Sequence, residues 1–158
     1  MQHITLPVFS DDGRPATREV LEVDIVAPKR YRLLHSPAFV DGLATGDVIE
    51  VDESLRSGFR LVSRARNLAV IVAFKKHEDT SSSQTLRLKE AIQTIGGMVD
   101  GGPARMLVFT IPVSVGFQTV ESLLAEFMRE LPGSSWWYGN VYEAGDPARP
   151  LDWWKESE

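Results

Sequence analysis

Reactive side chains are few in this chain, and its three histidines, His3, His35 and His77, set what chemistry it can offer. The pair His35-Ser36 has the residue types for base-assisted attack by a hydroxyl, with Asp41 or Asp47 in reach along the chain to orient the imidazole. No nucleophile-elbow pattern surrounds Ser36, so the types are present without the local geometry. His77-Glu78-Asp79 carries ligand-type side chains but neither the i, i+4 helical spacing nor the His-x-His strand spacing that aims two ligands at one ion. It reads as a solvated turn. Gly96-Gly97 and Gly101-Gly102 are not phosphate loops: the first pair ends a helix, and no Lys-Ser/Thr follows either. The sequence has no cysteine, which removes disulfides, thiolate catalysis and Cys-ligated metal sites. No catalytic residue, metal site or cofactor is assigned on this basis.

Binding is the better-supplied chemistry. "SSWWYGNVY" (134–142) puts two tryptophans and two tyrosines into nine positions, and "LDWWKESE" (151–158) adds a second Trp-Trp pair. Along a strand, Trp136, Tyr138 and Tyr142 share one face, and Trp137, Gly139 and Val141 the other. Gly139 and Val141 are small enough to sit under a helix, so Trp137 is expected in the core. Trp136, Tyr138 and Tyr142 are then expected on an open face, covered by the N-terminal half, the tail or a partner. Arg60, Arg64 and Arg66 form a basic ladder, but no aromatics interleave with it as an RNA surface would require. Glu50 and Asp52 on the preceding strand predict cross-strand ion pairs instead. A net charge of −5 argues against general affinity for nucleic acid or anionic membranes.

The elements that must position these residues fall into two halves. A chain of 158 residues with 43% hydrophobic and 25% charged residues suits one globular unit or two small lobes. Residues 1–66 read as a β-rich, small barrel-like lobe, with alternation in "VLEVDIV" (20–26), "DVIEVDE" (47–53) and "GFRLVSRAR" (58–66). An antiparallel hairpin of the last two, with a loop of three or five residues, sets Ile49 and Val51 on the face of Leu61. Residues 67–143 read as a strand ("LAVIVAF"), a helix with Leu88, Ala91, Ile92 and Ile95 on one side, two strands, a helix with Val120, Leu123, Leu124, Phe127, Met128 and Leu131 on one side, and a last strand. That order is the ferredoxin-like βαββαβ arrangement, with both helices on one face of a four-stranded sheet. The fold class is therefore α+β. Residues 144–158 are a proline-containing aromatic tail, expected to lack regular structure. Burying Trp153 and Trp154 and ordering the tail backbone are of similar free energy, so the tail is expected to dock weakly or await a partner. The opening "MQHITLPVFSDDGRP" has no basic region followed by an apolar one, and no apolar run approaches the roughly 20 residues needed to span a bilayer. A cytoplasmic location is expected.

One block is more specific. Tyr31, Arg32, Leu33, Pro37, Gly42, Leu43, Ala44, Gly46, Asp47, Val48 and Ile49 form a Tyr-Arg-Leu…Pro…Gly-Leu-Ala-x-Gly-Asp-Val-Ile pattern. It resembles a bacterial family of domains of unknown function, with similar element order over residues 19–143. Members usually carry a Ser-Gly-His-Ser-Thr-like stretch before the central strand. Ser63-Arg64-Ala65-Arg66-Asn67 stands there instead, so a role for that histidine and those hydroxyls is lost or moved. Some small acidic proteins of such families lie beside toxin genes, and the resemblance thus implies toxin neutralisation as one role. Read physically, Gly42 and Gly46 suit turns with positive φ and Asp47 a turn-closing hydrogen bond. Alternatively, Tyr31, His35 and Asp47 line a small polar pocket.

The function expected from these features is a non-enzymatic module that binds another protein through an acidic and aromatic surface, with an immunity type that neutralises a toxin as its specific version. Tyr31, His35, Asp47, Trp136, Tyr138, Tyr142, Trp153 and Trp154 are the candidate contacts. A small-molecule-binding regulatory domain is the alternative, and an enzyme using His35 and Asp47 a third reading.

Overall fold

The computed structural model describes residues 1–144 and 146–155. Five strands, β1 (Gln2–Phe9), β2 (Pro15–Ala27), β3 (Arg30–Leu33), β4 (Val48–Val51) and β5 (Phe59–Ser63), form an antiparallel meander in chain order. Alternation builds it: Leu21 and Val23 are buried while Val20 and Asp24 face out. The sheet curls without closing. β1 and β5 stay at its edges, yet a Cβ on Gly58, in the β4–β5 turn, would lie 3.0 Å from Pro7 Cδ of β1. The small barrel is thus an open, curved sheet. Its concave side holds Leu6, Leu21, Val23, Leu33 and Ile49, plugged by Val40 and Leu43 from the β3–β4 connection.

The β4–β5 register matches the sequence reading: Ile49 pairs with Leu61 and Glu50 with Arg60. The connection is longer than expected, running from Asp52 to Gly58. Arg60 meets Asp52 at 3.0 Å, but Glu50 takes Arg30 of β3, also at 3.0 Å. Arg64 and Arg66 turn away from the ladder to other partners.

The second half runs β6 (Asn67–Ala73), α1 (Ser83–Thr94), β7 (Met98–Gly101), β8 (Met106–Pro112), α2 (Phe117–Glu130) and β9 (Ser135–Tyr138). Its antiparallel sheet has the order β7-β8-β6-β9. The Ser82 hydroxyl caps α1 by accepting from the Thr85 amide. Both helices cover one face: Leu88, Ile92, Val120, Leu124 and Phe127 pack on Leu68, Val70, Val72, Leu107, Phe109 and Ile111. The other face, with Ala69, Ile71, Val108 and Thr110 buried, receives the β3–β4 connection.

The aromatic faces are the reverse of those expected. Val72 pairs with Trp136 and Val70 with Tyr138, so both rings join the helix side, whereas Trp137 pairs with Ile71 on the opposite side and is 41% exposed. Gly139 is small for a different reason than a helix above it. A Cβ there would sit 2.8 Å from Ile71 Cδ1, and its carbonyl accepts from the Gly42 amide at 2.8 Å. Its missing side chain leaves room for Ile71 and Ala69 of β6.

The described residues of the tail take up regular structure. β10 (Tyr142–Glu143) and β11 (Asp146–Pro150) pair as a hairpin, and a 3-10 turn covers Trp153–Lys155. Trp153 is buried among the residues beneath the helices, and Trp154 stacks edge-on against Phe117 at 5.0 Å. Arg66 donates to the Trp154 carbonyl at 3.0 Å. These polar ties and the hairpin add to the burial of the two rings and outweigh the backbone entropy of the segment. Among the described residues no helix is long and apolar enough to cross a membrane.

Candidate functional site

Two constellations of polar side chains stand out, one at the junction of the halves and one beside β9. At the junction, His35 Nε2 lies 2.8 Å from Glu22 Oε2 of β2, and its Nδ1 lies 3.6 Å from Asp100 Oδ1 of β7. Thr110 of β8 donates to Asp100 Oδ2 at 2.5 Å and lies 2.6 Å from the Ser36 hydroxyl and 2.8 Å from that of Thr45. One hydroxyl gives one proton and accepts two, so Thr110 is saturated. Burial pushes the Asp100 carboxyl above the usual carboxylate range, against the pull of Thr110 and His35. This network joins the β3–β4 connection to the second sheet. It does not form a nucleophile and base: Ser36 is buried with its hydroxyl held by threonines, and His35 faces two carboxylates from other strands.

Tyr31, His35 and Asp47 each make separate contacts. Tyr31 packs against the core of the curved sheet. Asp47 is buried, with Oδ2 accepting from the Ala44 amide and Oδ1 from the Ala65 amide, each at 3.0 Å. Arg64 stands 3.7 Å away, which offsets part of the burial that raises the Asp47 pKa. Asp47 is therefore a loop clamp, as its position before a strand suggested. His77 lies exposed in a 3-10 turn, and among the described residues no group of three acidic or histidine side chains could hold a metal ion.

The second constellation is a cleft of about 500 Å³ beside β9. Trp136, Trp137, Tyr138 and Tyr142 supply its rings, and Asp41, Glu121, Glu143 and Asp146 its carboxylates; no lysine or arginine is among its lining residues. Trp136 and Tyr138 meet edge-on at 5.0 Å, and Tyr138 again meets Phe117 at 5.5 Å, which fixes both rings. The Tyr138 hydroxyl donates to Glu121 Oε2 at 3.3 Å. Burial, then the Glu121 charge, raises its pKa, so it stays protonated. Burial likewise raises Asp41 above the ordinary carboxylate range. Trp137 and Tyr142 remain exposed at the rim. Trp153 and Trp154 contribute nothing to this cleft. Sequence reasoning found the rings but missed the carboxylates that frame them, because Asp41 and Glu121 come from distant segments with no shared spacing.

A family model for a domain of unknown function, DUF4265, matches residues 19–136, well over half of the chain. The chain belongs to the DUF4265 family. No curated protein matches it significantly. Its fold is similar to the crystal structure of a hypothetical protein from Neisseria gonorrhoeae, with a TM-score of 0.67 at 16% sequence identity, over 87% of this chain and 92% of that one. That likeness is one of fold, mixed α and β with antiparallel sheets. The DUF4265 match begins within β2 and ends within β9, so it takes in the His35 network whole, while Trp137, Tyr138 and Tyr142 of the cleft lie past its end. No function attaches to DUF4265, and the chemistry must be argued from the geometry.

Proposed function

We propose that this chain is a non-enzymatic binding module that holds a cationic segment of another protein in the cleft beside β9. The observation that carries the reading is four carboxylates and four aromatic rings around one cleft with no basic side chain in its lining. Such a site attracts lysine or arginine by charge and retains it over the ring faces. In this reading the second half is a ferredoxin-like βαββαβ lobe whose open face is closed by the curved N-terminal sheet, leaving the β9 border free. A toxin-neutralising role in a bacterial cytoplasm is its specific form, with a basic surface of the toxin as occupant.

The volume favours a second reading. About 500 Å³ falls within the range of small-molecule sites, so a small organic cation is the competing ligand. Tryptophan fluorescence titrations with a lysine-rich peptide, an acidic peptide of equal length and tetramethylammonium separate the cases. The basic peptide should bind best, weaken with salt, and lose at least tenfold in affinity in Trp137→Ala and Glu121→Gln. Preference for tetramethylammonium would favour the second reading, and equal response to the acidic peptide would overturn both.

A further inference from the structure

Resting on the reading of the cleft as a site for a cationic protein segment, we infer that the segment binds as an added β-strand on the outer edge of β9. β9 is the last strand of its sheet, paired only with β6. The Gly139 amide donates to the Ala69 carbonyl at 2.9 Å, so Gly139 points its backbone N–H at β6. Antiparallel pairing alternates, and Trp137 and Ser135 therefore point theirs the same way. Trp136 and Tyr138 direct N–H and C=O outward, where no strand of the described residues meets them.

The cleft lies over this edge. Its walls come from both faces of β9: Trp136, Tyr138 and Glu121 on the helix side, Trp137 and Asp41 on the other. An occupant touching both walls must cross the edge itself. An extended chain there would send successive side chains alternately to the Glu121 side and the Asp41 side, so each wall offers a carboxylate to a lysine or arginine.

The other edges are protected against such pairing, and β9 is not. β1 carries Pro7 and a bulge at Val8/Phe9, β7 is bulged between Val99 and Gly101, β10 is only two residues long and carries Glu143, β11 has Pro147 and Pro150, and β5 bears Arg60. β9, "SWWY", has no proline, charge or bulge. A second copy of this chain is a poor occupant, because β9 against β9 would bring two sets of the same four carboxylates together.

Amide hydrogen exchange by NMR, with and without a saturating oligolysine peptide, tests the mode. Exchange at the Trp136 and Tyr138 amides should slow at least tenfold, while Trp137, already paired to β6, stays unchanged. The same peptide N-methylated at alternate residues keeps its charge and should lose at least tenfold in affinity in one of the two registers. If the parent peptide binds but neither N-methylated form is weakened and Trp136 and Tyr138 are not protected, strand addition is wrong and the charge reading stands. If no basic peptide binds, both fall. Concentration-dependent dimerisation that protects the same two amides would assign the edge to a second copy and overturn the inference.

Discussion

Trp153 Nε1–H donates to the backbone carbonyl of Asn140 at 2.7 Å, with both residues buried. The Asn140 side chain meanwhile replaces a missing rung of the sheet. Its Oδ1 accepts from the Ala69 amide at 2.9 Å and its Nδ2 donates to the Asn67 carbonyl at 2.8 Å, so a side-chain amide does for β6 what a strand backbone would. The C-terminal segment is thereby bolted to the middle of the second sheet. Trp153→Phe should cost about 1–3 kcal/mol through the orphaned carbonyl, and Trp153→Ala about 3–5 kcal/mol, in denaturant melts. Deleting residues 150–158 should destabilise at least as much as Trp153→Ala. A truncated chain melting within a few degrees of the parent would mean the segment does not belong to the core.

Asp47 offers a sharper test of the loop that joins the two halves. Its carboxylate satisfies the Ala44 and Ala65 amides, which are otherwise without acceptors. Asp47→Ala should cost about 1–3 kcal/mol, chiefly through the orphaned amide of the buried Ala44, since the exposed Ala65 amide can turn to water. Asp47→Asn, which keeps one acceptor, should cost less. Equal midpoints for Asp47→Ala and the parent in urea would refute the clamp.

Leu124 is fully buried between the second helix and its sheet, whereas the His35 side chain is about half exposed and meets the partly exposed Glu22 and the buried Asp100. Leu124→Ala should cost about 2–5 kcal/mol. His35→Gln should cost under about 1 kcal/mol, since partly exposed ion pairs contribute little. Chemical denaturation of both variants ranks them, and a His35→Gln loss matching that of Leu124→Ala would make the junction network a principal support of the fold.

How far the residues announce this structure depends on whether their signals are local. The second helix is legible because Val120, Leu124 and Phe127 recur at its period, and those three are buried. Alternation in "SWWYG" likewise divides two faces correctly, but nothing local says which face meets the helices. That parity is set by pairing with Val70 and Val72 more than sixty residues away. Gly139 misled for the same reason: its size answers to Ile71 and Ala69 of β6, not to a helix. The candidate site follows suit. Its rings are adjacent in the chain and were readable, while Asp41 and Glu121, and likewise Glu22 and Asp100 around His35, meet only through the fold.

The buried Asp100 carboxyl carries a pH signature whose sign is fixed by the structure. Burial raises its pKa in the folded chain above the unfolded value, chiefly by desolvation, so folding favours the protonated form. Its contribution to stability is full below the unfolded value of about 3.9 and is lost as pH rises through the raised folded value. The buried Oδ1 atom has His35 Nδ1 3.6 Å away, beyond hydrogen-bond reach, so the pull of that ring offsets only part of the burial. Asp100→Asn keeps an acceptor for Thr110 and cannot ionise. The stability of Asp100→Asn minus that of the parent should therefore be smallest at and below the unfolded value, rise as pH increases through the raised folded value, and then level off. Urea melts at a series of pH values measure this difference. A difference that falls with rising pH would show that His35 and the neighbouring hydroxyls favour the carboxylate over the acid, and that Asp100 is held ionised at the junction.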